Sequence, residues 1–222
     1  RVDYLTAYQD AAYARRSSVL VAKVREAESR VGGKAKDGRA TMPLTEAVAH
    51  NYFKLLAIKD EYEVARLYTD GEFERQVAGA FEGDYTLRYH LAPPLWAKPD
   101  PATGVPRKRK YGPWIRPLLQ VVARIRFARG RWFDPFGHTE ERRLERSLVR
   151  AYEATMDWMM PHLTEANLDI AIEWAGVPDA IRGYGHVKRK SIDAAQMRDA
   201  ELRARFAAPT AAPPRQQVTV TA

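Results

Sequence analysis

The sequence predicts a mainly α-helical chain with a small β element, an α+β arrangement in which helices pack around a short strand or hairpin. Three observations carry this. Apolar residues recur at steps of three and four along most of the chain. Alternation at a step of two is confined to residues 85–91. Glycines, prolines and capping residues separate the periodic stretches. The 222 residues suit one medium domain, or a small domain with helical extensions.

The first periodic stretch has Asp3 as its cap and Tyr13, Leu20, Val24, Ala27 and Val31 on one face, which predicts one long helix stopped by Gly32-Gly33. Residues 32–43 read as a polar, glycine-bearing linker. Thr45 is the expected N-cap of the next helix, with Glu46 at its positive end and a stripe of Val48, Tyr52, Leu55, Ile58, Tyr62 and Ala65 running to about Tyr68. A short helix from Glu72 to Phe81 follows Gly71. Tyr85, Leu87, Tyr89 and Leu91 alternate with polar residues as a strand does, and 107–111 is its expected partner; a partner elsewhere in a longer protein is the alternative.

Pro113 and Pro117 bracket a helix start, with Leu118, Leu119, Val122 and Ile125 on its apolar face and Gly130 at its end. The aromatic loop 132–138 leads to Thr139, which caps a long helix buried through Leu144, Leu148, Tyr152 and Met159. Thr164 caps a helix ending at Gly176, Pro178 opens a short one ending near Arg182, and after Gly183-Tyr184-Gly185-His186 a last charged helix runs to about Phe206. The organisation expected is a connecting helix and linker over 1–43, a helical accessory domain over 44–206 and a disordered, low-complexity tail over 207–222. The chain begins at Arg1 rather than Met, which predicts a piece of a longer polypeptide.

Composition excludes much chemistry. Without cysteine the chain cannot form disulfides, use a thiolate or ligate an iron–sulfur cluster. No serine lies in a Gly-x-Ser-x-Gly elbow. His50, His90, His138, His162 and His186 have no local chelate spacing, so no metal site is expected. No uncharged stretch approaches the roughly 20 residues that span a bilayer, and no signal-peptide pattern is present.

The net charge of +8 is local. Nine basic residues lie within 101–133, with no acid between Asp100 and Asp134, and the remainder is nearly balanced. A local patch predicts one anionic partner. Arg107, Lys108, Arg109 and Lys110, flanked by Tyr111 and Trp114, are the first candidates for such a face, and a solvated hairpin strand is the plain alternative. Arg182, His186 and Lys188, around the Gly183-Tyr184-Gly185 turn, are the second candidates, because backbone N–H groups at the following helix start also favour an anion. Nucleic-acid binding rests on charge alone, since no helix-turn-helix, zinc-finger or ribonucleoprotein motif is present.

Several segments together carry a resemblance. They are Asp3-Tyr4-Leu5-Thr6-Ala7-Tyr8-Gln9 with Ala11-Ala12-Tyr13-Ala14; the run from Lys59 to Tyr68; His90-Leu91-Ala92-Pro93-Pro94; Pro106-Arg107-Lys108-Arg109 with Tyr111-Gly112-Pro113-Trp114; Phe133-Asp134-Pro135-Phe136-Gly137; and the run from Ile181 to Lys188. In this order, from about Arg1 to Phe206, the chain resembles the C-terminal region of the large fused bacterial indolepyruvate ferredoxin oxidoreductases. The resemblance implies a cytoplasmic enzyme that oxidatively decarboxylates aryl 2-oxoacids to acyl-CoA and reduces ferredoxin. Such enzymes use thiamine diphosphate, magnesium and [4Fe–4S] clusters. This chain has neither cluster cysteines nor the Gly-Asp-Gly…Asn pattern that holds the thiamine diphosphate–metal unit, so the resemblance places those groups upstream and transfers no catalytic residue. It implies an accessory domain that braces subunits of a homo-oligomer and turns a basic face to CoA or ferredoxin. A purely structural dimerisation or capping domain, buried through the Tyr52–Tyr62 and Leu144–Met159 helices, and an independent nucleic-acid-binding domain are the alternatives.

Overall fold

The structure, a computed structural model, describes residues 1–32, 34–36, 39–93, 107–183 and 185–208. The described residues are mainly helical, with two small antiparallel hairpins. The first helical stretch divides into α1 (Val2–Tyr8) and α2 (Ala11–Arg30). Asp3 sits inside the first turn of α1. The effective cap is Asp10, whose carboxylate accepts the Tyr13 N–H at 2.7 Å and so starts a new helix. Strands β1 (Lys34–Lys36) and β2 (Arg39–Thr41) pair within the expected linker.

α3 (Pro43–Leu56) starts two residues before the expected Thr45 cap, with Pro43 in its first turn. Its free N–H groups are met from outside. The buried Glu28 carboxylate of α2 accepts from the N–H groups of Leu44 and Thr45, at 2.9 and 2.8 Å, and from the Thr45 hydroxyl at 2.7 Å. A carboxylate at the positive end of a helix also gains from the dipole. The stripe expected to run on to Tyr68 is broken: the chain leaves the helix at Ala57 and restarts as α4 (Glu61–Leu67), because Asp60 caps the Glu63 N–H at 2.8 Å.

α5 (Glu72–Ala80) precedes β3 (Tyr89–Leu91), which pairs with β4 (Arg109–Tyr111) in the expected antiparallel hairpin, Tyr89 opposite Tyr111. Only 89–91 of the alternating segment is strand, and Tyr85 is exposed. The proline-rich turn between the strands lies outside the described residues over 94–106. α6 (Arg116–Arg124) follows, then α7 (Glu140–Met159), capped by the Thr139 hydroxyl. α8 (Leu168–Ala175) is reached through the Thr164–Asn167 capping box, and α9 is Gly185–Ala207. The expected tail lies outside the described residues from 209 onward.

The main core joins Leu5 of α1, Leu20, Val24 and Ala27 of α2, Val48, Tyr52 and Leu56 of α3, Met156 of α7, Trp174 of α8 and Leu202 of α9. Residues of the expected connecting helix over 1–43 thus share this core with residues of 44–206. Trp158, Trp174 and Phe206 pack ring on ring to tie α7, α8 and α9 together. A second, smaller cluster joins Ala65 of α4, Tyr89 of β3 and Ile115, Leu119 and Ala123 around α6. The buried face of α7 is turned one residue from expectation. Leu144 and Leu148 are half-buried, whereas Glu145 and Val149 are buried beside Tyr152, Met156 and Met159.

Candidate functional site

The hairpin β3–β4 presents the first set of predicted residues. Arg107, Lys108, Arg109 and Lys110 are all exposed. Beside them Trp114 is 67% exposed and meets Tyr111 edge to face at 5.9 Å. Leu118 and Val121 of α6 continue from Trp114 at helical spacing and are also exposed. Exposed cations of the hairpin and exposed apolar residues at the start of α6 are thus joined through the Tyr111–Trp114 contact.

Of the second predicted set, Arg182 and Lys188 are both engaged by acids of the chain. Arg182 is exposed and turns back on Asp179, donating to its carbonyl at 3.1 Å and its carboxylate at 3.3 Å. Lys188 is drawn inward, bonded to the buried Glu145 and 4.0 Å from Glu141. Its charge compensates a buried carboxylate and is not offered to a ligand. His186 lies in α9, but its side chain is outside the described residues, as is Tyr184.

A third site went unread in the sequence. A cavity of about 310 Å³ lies between the two clusters, walled by the α1–α2 junction, the start of α4, the loop 129–137 and one face of α7. At its centre Arg129 forks onto Asp60, with Nε–Oδ2 at 2.5 Å and Nη2–Oδ1 at 2.9 Å, and donates to the Tyr8 carbonyl at 2.5 Å. The guanidinium lies 3.6 Å from the centre of the Tyr8 ring. Asp134, buried in the aromatic loop, accepts from the Tyr62 hydroxyl at 2.8 Å, the Gly130 N–H at 2.7 Å and the Phe136 N–H at 3.0 Å. Burial pushes the Glu61 carboxyl above its ordinary range, with Arg142, 3.7 Å away, pulling the other way. Burial likewise pushes the Tyr13 hydroxyl up to about 12, so it stays a protonated donor at neutral pH.

Arg142, Arg146 and Arg150 of α7 also line the cavity. Their steps of four residues place them on one helix face. That spacing, directly after the Phe133-Asp134-Pro135-Phe136-Gly137 loop, was the available sequence signal. It was missed because Arg129 reads locally as a solvated helix-end charge and Asp60 as a surface acid.

There is no cysteine for a cluster. Among the described residues no group of three His, Asp or Glu side chains is placed to hold a metal ion. Among them, too, no helix is long and apolar enough to cross a membrane.

Residues 1–201 match the family of unknown function DUF6537, and the chain belongs to that family. No curated protein and no solved structure matches it.

Proposed function

We propose that this chain is an accessory domain of a larger cytoplasmic oxidoreductase, dependent on thiamine diphosphate and iron–sulfur clusters, that converts indolepyruvate-type aryl 2-oxoacids to acyl-CoA. Its part is docking, and the redox groups belong to other parts of the enzyme. The ordered sequence resemblance over residues 1–206 supports the membership. The observation that carries the docking role is the exposed strip Arg107–Lys110, joined through the Tyr111–Trp114 contact to the exposed Leu118 and Val121. Cations next to exposed apolar residues suit an acidic protein partner, with charge setting the encounter rate and apolar contact the residence time. Ferredoxin is that partner in this reading. The small, highly charged CoA would use the cations and leave the apolar strip uncovered.

The test is charge reversal of Arg107, Lys108, Arg109 and Lys110 to Glu in the full-length enzyme. The KM for ferredoxin should rise about tenfold or more at low salt and by less at high salt, as screened attraction requires. Turnover with a small artificial electron acceptor should be unchanged. A rise confined to the KM for CoA would assign the strip to CoA, and unchanged low-salt kinetics would remove the docking role.

A further inference from the structure

The cavity between the two clusters carries more positive charge than its own carboxylates match. Five guanidinium groups line it, those of Arg16, Arg129, Arg142, Arg146 and Arg150, against the carboxylates of Asp60, Glu61 and Asp134. Two of the acids are committed by hydrogen bonds: Asp60 is held by Arg129, and Asp134 accepts three. Glu61 Oε2, buried without a hydrogen-bond partner among the described residues, has only Arg142 at 3.7 Å for its charge. Arg16 is held by Glu153 through two bonds of 2.6 Å, and Arg142 also binds Glu145. Arg146 and Arg150 are different. Arg146 donates only to the Gly137 carbonyl, at 2.7 Å, and neither residue pairs with a carboxylate among the described residues.

These two guanidinium groups stand one helical turn apart, roughly 6 Å between Cβ atoms. A carboxylate offers two oxygens and saturates one arginine fork, whereas a phosphoryl group offers three and can engage two forks together. The lining also carries the half-buried rings of Tyr13 and Phe136. Tyr8, fully buried in the same lining, has a hydroxyl without a hydrogen-bond partner among the described residues. An unmet buried polar group is uncommon, and a ligand or a water in the cavity would satisfy it. The volume of about 310 Å³ lies at the small end of ligand sites, which run from roughly 300 to 1,000 Å³.

We infer that this cavity binds a compact phosphate monoester, its phosphoryl group held by Arg146 and Arg150 and its organic body against Tyr13 and Phe136. The inference is independent of the docking strip, which lies on other elements.

Isothermal titration of the chain with phenyl phosphate, inorganic phosphate and benzoate tests it. Phenyl phosphate should bind more tightly than either of the others, because only it has both the phosphoryl group and the ring. The double variant Arg146→Ala/Arg150→Ala removes half-buried or exposed side chains, so the fold survives, and it should weaken phenyl phosphate binding about tenfold or more, as loss of charge-assisted hydrogen bonds does. Arg143→Ala removes the same charge from a residue of α7 outside the cavity lining and should change affinity less than about twofold. Equal losses in the two variants, or no saturable heat with any probe, would overturn the site. Benzoate binding as tightly as phenyl phosphate would overturn the phosphoryl assignment, and equal affinity for inorganic phosphate would overturn the role of the two rings.

Discussion

Arg129 and Asp60 lie 69 residues apart in sequence and meet as a forked ion pair, with Arg129 10% and Asp60 4% exposed. Asp60 does two jobs at once, since the same carboxylate caps α4. The pair fastens the start of α4 to the loop after α6, and the Arg129 bond to the Tyr8 carbonyl adds the end of α1. Three segments that share no local sequence signal are joined at one guanidinium.

Breaking this pair from one side should be costly. Asp60→Asn keeps the size and the capping ability but leaves Arg129 buried without its counter-charge. Loss of one partner of a buried pair costs about 3–5 kcal/mol. Urea unfolding should show a loss of this order for Asp60→Asn and for Arg129→Met. The double variant should lose less than the sum of the two, because no lone charge remains. Additive losses would show that the two residues act separately.

Gly137 is required by contact rather than by backbone angle. A Cβ there would run into the Asp134 carboxylate, with its Cγ at 2.7 Å and its Oδ2 nearer still. Asp134 cannot retreat without giving up the Tyr62, Gly130 and Phe136 hydrogen bonds. Gly137→Ala should therefore destabilise by about 1–3 kcal/mol, the usual cost of overpacking. Gly79→Ala is the control: nothing lies within 4 Å of its Cβ position and it sits in helix α5, so it should be neutral or slightly stabilising. Thermal unfolding of the two variants should separate them.

The ion pair between Arg16 of α2 and Glu153 of α7 ties stability to pH. Burial raises the Glu153 carboxyl, but the hydrogen bonds from Arg16 and Tyr52 outweigh it and hold the carboxyl below the ordinary glutamate value of 4.5. The folded form thus binds this proton less readily than the unfolded chain. The stabilisation is complete above the ordinary value and is lost as pH falls through the lower, folded one. Arg16→Gln should move the acid-unfolding midpoint to higher pH and flatten the acid limb. A midpoint unmoved from wild type would show that the pair does not couple to folding.

Some helix starts were legible because caps act within a few residues, but the caps expected at Asp3 and Thr45 lie inside their helices. Thr139 and Thr164 cap where the sequence placed them, and the expected pairing of 85–91 with 107–111 forms over 89–91 and 109–111, whereas α6 ends at Arg124, ahead of the expected Gly130. The break at Asp60 was not legible, because a continuous apolar stripe runs across it. Nor was the turn of α7, since a buried Glu145 in place of a half-buried Leu144 makes sense only once Arg142 and Lys188 are seen beside it.

The sequence by itself determined the fold class, the hairpin and the exposed basic strip, because periodicity, turn residues and runs of charge are local properties. The tertiary structure alone decided which charges are free. Lys188, expected at a ligand face, is consumed by Glu145, while Arg146 and Arg150, unremarked in the sequence, line a cavity and pair with no carboxylate among the described residues. Pairing depends on what lies within a few ångströms, and for charges tens of residues apart only the packed helices bring that neighbour into reach.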